Sequence, residues 1–387
     1  MKHINLNGFR SLVKTYGRIS NIPVGLLSKV SNKVLKKLSP KETKELVDTA
    51  VKYWQHRGYP FESCTDKDIE KEYKRMVEFN INSISNGKEI GQNFMGLDVV
   101  NSFHPKRHSV KCRNFYTPID NFLDEKRLAK VMKKIIQISS TGNPFLRSNF
   151  KSIIKIFSGT HLASNFRPTA AKYVYEKYCP VGGKILDPSL GFSGRLFGAL
   201  TSCTLSHYEG CDPCTETYEN GLKFYNTIKR INNKGSKLSS FLDIECRKLP
   251  NVVLHNIPFE EYQPKEEFFD LVFTSPPYFN VEKYSDEETQ SWKKYGTYDL
   301  WLKHFLFPSV DICYRGLKKG GYMIYNIAGK KPPMEKDFVD YATKVFGPMH
   351  DTIFLQLTKM FGIKYKGKTD MTNRVDHKLE PCFIFRK

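Results

Sequence analysis

A chain of 387 residues that is 40% hydrophobic and 13% aromatic has enough apolar side chains for a large core, which excludes a disordered polypeptide. With a mean hydropathy of -0.47 and no long uncharged apolar run, a membrane-spanning segment is excluded and no membrane partner is expected. Sixty-one Lys and Arg against 40 Asp and Glu leave +21 at pH 7, a balance that draws polyanions by neutralising phosphates and releasing their counterions.

The excess is uneven. Residues 1–150 hold 27 basic and 14 acidic side chains, and the balance of +13 there leaves +8 for residues 151–387. The first 41 residues contain nine basic side chains and no acid. A transit peptide would also be acid-poor, but Asn21-Ile22-Pro23 and the scarcity of arginine do not suit one. Nine cysteines stand at positions 64, 112, 179, 203, 211, 214, 246, 313 and 382. An odd number, with neither framework spacing nor a signal-peptide pattern, points to a reducing, cytoplasmic setting. Cys211 and Cys214 make one C-x-x-C with no second pair to complete a zinc site, so both are expected as small buried residues and no metal is expected.

In chain order, Ser39-Pro40 with Glu42 and Glu45 reads as a helix start. Leu46, Ala50 and Tyr53 follow at helical spacing, and Gly58-Tyr59-Pro60 ends the run. Thr65 can cap a second helix over 65–79, striped by Ile69, Tyr73 and Met76, and a third fits 123–138. The stretch 101–118 reads as a loop in which basic and aromatic side chains mix, among them His104, Arg107, His108, Arg113, Phe115 and Tyr116. From about residue 145 strands alternate with helices. Strands are expected over 184–186, 208–211, 252–255, 269–274, 321–326, 352–357 and 382–386, and helices over 170–177, 194–200, 216–229 and 300–315. Strands joined through helices imply a parallel, doubly wound α/β sheet, which binds ligands at the carboxyl ends of its strands. The expected organisation is a basic, mainly helical region over 1–144 and an α/β domain over 145–387.

Two motifs carry chemistry. In Lys184-Ile-Leu-Asp187-Pro188-Ser-Leu-Gly191-Phe-Ser-Gly194-Arg195 a strand runs through a glycine-bearing turn into a helix, and glycine lets a backbone approach a ligand closely. Asp212, after the next strand and 21 residues beyond Gly191, stands where an acid accepts from the ribose hydroxyls of a nucleoside, with Glu209 as the alternative. The turn is not the full G-x-G-x-x-G, which favours a nucleoside cofactor without a pyrophosphate. In Phe269-Asp-Leu-Val-Phe-Thr-Ser275-Pro276-Pro277-Tyr278 a buried strand ends in a hydroxyl, two prolines and an aromatic ring. Proline fixes φ and offers no N–H, so carbonyl oxygens are presented without a competing donor. Such acceptors suit an exocyclic amine, whose lone pair they would localise for attack, while the aromatic ring can stack on the flat base.

Together these segments resemble the amino-methyltransferases of restriction-modification systems and bacteriophages, whose catalytic signature is the Ser-Pro-Pro-Tyr tetrad. The closing segment Glu380-Pro-Cys-Phe-Ile-Phe-Arg-Lys387 is similar to the last strand of those enzymes. Ser164-Asn-Phe166-Arg-Pro168-Thr-Ala-Ala-Lys172 is similar to the segment that closes over their cofactor. The resemblance covers roughly 145–387. It implies a Rossmann-like sheet, S-adenosylmethionine as cofactor and double-stranded DNA as partner, in a setting with a restriction endonuclease or a phage. It also implies catalysis at Ser275, Pro276, Pro277 and Tyr278. Asp187 and Gly191 would face the methionine part of the cofactor, Asp212 its ribose and Asn256 its adenine, with Phe166 and Pro168 flanking it and Pro188 and Gly194 also binding it. Serine in the first tetrad position leans towards cytosine N4 over adenine N6.

A covalent cytosine-C5 route would need a Pro-Cys after the fourth strand. Pro213-Cys214 and Pro381-Cys382 stand elsewhere. An RNA base methyltransferase with the same tetrad and an inactive DNA-binding protein on a methyltransferase fold remain as alternatives. Residues 1–150 are expected to grip DNA, with the loops 282–298 and 359–378 as rivals for contacts to bases.

Overall fold

The computed structural model of the chain describes residues 3–138, 141–238, 248–329, 331–357 and 378–387. Its contacts group the chain into two units, Met1–Phe61 with Lys106–Ala163 and Glu62–Pro105 with Ser164–Lys387. A single cut at 144/145 therefore misassigns two segments, and burial gives the reason. Ile69, Tyr73 and Met76 share a core with Ile185, Phe197 and Phe224 of the α/β unit. Phe150, Ile153 and Ile154 share the other core with Trp54, Leu128 and Val131. The regrouping sharpens the charge contrast. The first unit holds 24 Lys and Arg against six Asp and Glu, and the second 37 against 34.

The first unit is helical. Ser39 and Glu42 close a capping box on the helix Pro40–Arg57, which Gly58 ends with φ +85°. The expected helix over 123–138 is instead two, Pro118–Leu123 and Glu125–Ile138, because Thr117 and Pro118 supply their own start signal. Buried polar groups tie loops to the bundle: Trp54 Nε1 donates to the Pro144 carbonyl at 2.7 Å, and Asn143 Nδ2 to those of Leu27 and Val30. The stretch 101–118 is not the exposed loop that its composition suggests. Arg107 is buried and donates to the Ala163 carbonyl at 3.1 Å, and His108 is buried 2.8 Å from the Tyr59 hydroxyl. Phe115 and Tyr116 are exposed.

The second unit is built on one eight-stranded sheet: β1 Glu89–Ile90, β2 Gly183–Asp187, β3 Leu205–Cys211, β4 Asn251–His255, β5 Phe269–Thr274, β6 Leu317–Asn326, β7 Asp351–Leu357 and β8 Lys378–Arg386. Their order across the sheet is β1-β7-β8-β6-β5-β2-β3-β4. All pairings are parallel except those of β8, which runs against both β6 and β7. This is the expected doubly wound α/β sheet. From β2 the chain steps outward through β3 to β4, then returns to place β5 on the other side of β2. The reversal leaves the crevice of such a sheet beyond the carboxyl ends of β2 and β5, where both motifs begin. The expected helix over 300–315 contains a π-turn at Leu302–Leu306 before Phe307–Gly316, since Pro308 cannot donate to the carbonyl four residues back. Cys246 and the loop 359–377 lie outside the described residues. Among the described residues, no helix is long and apolar enough to cross a membrane.

Lys172 is 1% exposed, and its ammonium donates to the carbonyls of Met76, Val77 and Phe79 at 2.7, 2.8 and 3.3 Å. A cation at the end of Asp66–Val77 satisfies carbonyls that the helix leaves unpaired and complements its dipole. Lys172→Ala, which strips these acceptors of their donor and opens a cavity, should cost about 2–4 kcal/mol in urea unfolding. A loss under half a kcal/mol would mean that water replaces the ammonium.

Candidate active site

Asp187 ends β2 with no exposed surface and a full set of donors. Its Oδ2 accepts from Arg195 Nε at 2.9 Å and Tyr208 Oη at 2.6 Å, and its Oδ1 from Thr274 Oγ1 at 3.1 Å and Ser189 N at 3.2 Å. Burial would lower the Arg195 guanidinium, but the Asp187 charge outweighs it and holds Arg195 above its usual range. The guanidinium also bonds the Ser189 carbonyl. Asp187 therefore shapes the turn and joins the ends of β2 and β5, with its acceptor positions taken by protein.

The turn then makes two left-handed steps, at Gly191 with φ +57° and at Ser193 with φ +63°. A side chain at Gly191 would meet nothing nearer than 3.7 Å, so glycine serves the backbone angle there. Ser193 is held in its strained conformation by the buried His104, whose Nε2 lies 2.8 Å from Ser193 Oγ. Gly194 meets a close backbone approach. A Cβ there would fall 2.0 Å from the Phe166 carbonyl, so only glycine admits the segment 164–166. Asn165 Nδ2 completes that fit by donating to Phe192 O at 2.8 Å. Phe166 lies edge-on to Phe273 at 5.4 Å, and buried Pro168 opens the helix Pro168–Tyr178. The segment 164–168 thus borders the glycine turn.

Asp212 follows β3 and accepts from Gly191 N and Cys214 N, both at 2.9 Å, one on each oxygen. A carboxylate offers about four acceptor positions, so roughly two remain. Burial pushes its carboxyl up to about 6, against the lowering effect of the two N–H bonds. Glu209 is more nearly filled. His255, Tyr262 and His207 hold its oxygens at 2.7, 2.7 and 3.1 Å and, against burial, keep it down to about 2. Asn256 braces the turn by donating to the Asp212 carbonyl at 3.0 Å. The loop over 282–298 is tied down beside it, Glu287 accepting from the N–H and hydroxyl of Thr215 at the start of Thr215–Leu238.

Ser275-Pro276-Pro277-Tyr278 leaves β5 beside this turn, through the Thr274–Asp187 bond. Pro276 is buried, and Ser275, Pro277 and Tyr278 are half-buried. Tyr278 Oη lies 3.3 Å from the Asn326 carbonyl and 3.2 Å from Glu380 Oε1, and burial drives its phenol far above the usual range. The next residue, Phe279, turns left-handed at φ +48° and packs on Tyr298 and Trp301. Cys214 is buried at the Asp212 turn and Cys382 is buried in β8. The residues that sequence reading did not single out are Arg195, Tyr208, Asn326 and Glu380. Arg195 and Glu380 stood inside quoted motifs, but nothing in their spacing signalled their partners.

Residues 269–387 match the family model described as DNA methylase. The match spans about a third of the chain. It supports a methyltransferase with S-adenosylmethionine as methyl donor. No curated protein matches the chain. Similar solved structures include the tRNA (m1A58) methyltransferase TrmI of Aquifex aeolicus, at 12% identity over 58% of this chain and 71% of that one, TM-score 0.36. A methyltransferase of Pyrococcus furiosus is similar at 14% identity over 61% and 93%, TM-score 0.33. TYW2 of M. jannaschii in complex with AdoMet is similar at 12% identity over 58% and 78%, TM-score 0.34.

The described residues fit this cofactor: Asp212 has acceptor positions to spare, Gly191 keeps the turn free of a side chain, and Phe166 borders the turn. Below about pH 6 Asp212 takes up its proton and ceases to be an ionised acceptor. Affinity for S-adenosylmethionine should fall between pH 7 and 5 in the natural chain and stay flat in Asp212→Asn. Asp212→Ala should weaken it by about 1–3 kcal/mol, the cost of unpaired polar partners. Titration calorimetry showing unchanged affinity would remove Asp212 from the ribose.

Proposed function

We propose that the chain is an S-adenosylmethionine-dependent methyltransferase that places a methyl group on an exocyclic amino nitrogen of a flipped DNA base, cytosine N4 before adenine N6, by direct transfer. The observation that carries this reading is Ser275-Pro276-Pro277-Tyr278 at the end of β5, joined through Thr274 and Asp187 to the turn that faces Asp212. When bound, S-adenosylmethionine supplies an electrophilic methyl group. Asp212 would hold the ribose, and Asp187 with Arg195 would keep the turn in shape. Phe166 and Pro168 would flank the cofactor, with Pro188, Gly191 and Gly194 lining the turn. The Ser275 hydroxyl and the Pro276 carbonyl would accept the two amine hydrogens, localising the lone pair for attack, and the Tyr278 ring would stack on the base. No nucleophilic cysteine is required.

The first unit would grip the polyanion. Its helix Glu125–Ile138 buries Leu128, Val131, Met132, Ile135 and Ile136 and turns Lys126, Lys130, Lys133 and Lys134 outward. Lysines on one face bind phosphates without regard to sequence. The setting in a restriction-modification system or a phage belongs to the same reading.

Incubating unmodified double-stranded DNA or RNA with labelled S-adenosylmethionine, followed by nucleoside analysis, tests polymer and base together. N4-methylcytosine in DNA is expected. Label in RNA alone would move the substrate to the other polymer. Ser275→Ala and Tyr278→Ala should each lower turnover by at least about 100-fold while calorimetry still detects the cofactor. Near-natural turnover in both would overturn the site. Replacing Lys130, Lys133 and Lys134 with alanine should weaken binding similarly on all DNA sequences and flatten the salt slope by about one unit per lost phosphate contact. An unchanged slope would take this face out of the DNA contact.

A further inference from the structure

A tetrad that begins with serine carries no charge of its own, yet methylating a neutral amine releases a proton. As the N–CH3 bond forms and the donor's S–CH3 bond breaks, the amine nitrogen becomes cationic, and one of its N–H bonds must then break. Among the described residues, four carboxylates surround the tetrad and the glycine turn. Asp187 is filled by four donors, Asp212 holds the turn, and Glu282 is bonded to the Tyr284 hydroxyl. Glu380 on β8 is the one bonded to the tetrad itself, its Oε1 lying 3.2 Å from Tyr278 Oη. Ser275 belongs to the same tetrad and acts on this phenol against its burial. A hydroxyl with one proton thus stands between Ser275 on one side and the acceptors of Glu380 and Asn326 on the other.

We infer that Glu380 is a positioning residue of the tetrad, fixing Tyr278 by its hydroxyl and receiving, by way of Tyr278 and Ser275, the proton that the amine loses. This rests on the function proposed above. The amine N–H proton passes to Ser275 Oγ as the serine proton passes to Tyr278 Oη and the tyrosine proton to Glu380 Oε1. Both hydroxyls are restored, the carboxylate becomes a carboxylic acid, and it discharges to water before the next turnover. Burial raises the Glu380 carboxyl above the ordinary glutamate range, in part against Asn326, Tyr278 and Lys378, and Glu282 reinforces the rise. Arg167 and Cys382 are its other titratable neighbours, and Leu355 pairs with it on β7. A raised acceptor is a better base, and it is empty of its proton only above that raised value. Turnover should therefore fall on the acid side at a higher pH than an ordinary glutamate would set.

The test is steady-state methylation by the full-length chain from pH 5 to 9, with S-adenosylmethionine affinity measured separately by calorimetry. Glu380→Gln keeps an acceptor for Tyr278 but cannot take the proton. It should lower kcat by about 10- to 100-fold and abolish the acid limb, with cofactor affinity within about twofold of the natural chain. Glu380→Asp should restore part of the limb. Tyr278→Phe, which keeps the ring and cuts the relay, should reproduce the glutamine profile and serves if Glu380→Gln does not fold. Natural kcat with an unshifted acid limb in either variant would overturn the inference. An acid limb lost in Glu282→Gln and kept in Glu380→Gln would transfer the role to Glu282. Methylation confined to RNA would correct the polymer and leave the relay to be read from the same profiles. A natural chain that labels neither polymer would overturn the proposed function, and this inference with it.

Discussion

The fully buried carboxylate of Asp187 is the interaction on which the site depends. Four donors from four places meet on it: Arg195 on the helix after the turn, Tyr208 on β3, Thr274 at the end of β5, and Ser189 within the turn. Removing one partner of a buried ion pair leaves an uncompensated charge, at about 3–5 kcal/mol, so the four elements are locked in one arrangement. That arrangement sets the glycine turn next to the tetrad. Without it, two loops from non-adjacent parts of the chain would have no reason to face one crevice.

Three acids stand near the carboxyl ends of neighbouring strands, and their surroundings separate them. Asp187 is neutralised by a guanidinium. Glu209 is held down to about 2 by two imidazoles and a phenol. Asp212 has only two backbone N–H groups to offset its burial and is pushed up to about 6. The acid with the least compensation is the one with acceptor positions left over. Desolvation and donor count, rather than residue type, thus distinguish the structural acids from the one able to hold a ligand.

The two units divide the chemistry differently. The α/β unit, with 37 basic and 34 acidic side chains, is close to neutral, and its buried Lys172, Asp187 and Arg195 are all hydrogen-bonded. The helical unit, with 24 against six, carries nearly all of the net charge on exposed helix faces. A surface of that kind attracts a polyanion without reading it.

Much was legible in the linear pattern. Alternating strands and helices implied the parallel sheet, and capping signals at Ser39 and Thr65 marked helix starts, because caps and periodicity act within a few residues. The spacing from Gly191 to Asp212 marked an acid after the next strand, since a strand–turn–helix–strand unit has a nearly constant length, but not its bond to Gly191 N at 2.9 Å. What depended on pairing across the chain was not legible. Arg107 and His108 looked like surface charge and became buried hydrogen-bonding groups. The closeness of Phe166 to Gly194, which leaves no room for a Cβ, had no signal in the sequence. The helix Asp66–Val77 looked like part of an N-terminal module and joined the core of the sheet. Residue types and short-range spacing determined the elements and the chemistry available to them. Only tertiary packing decided which partner each buried charge would have, because that choice is made between residues up to 102 positions apart, as in Tyr278 and Glu380.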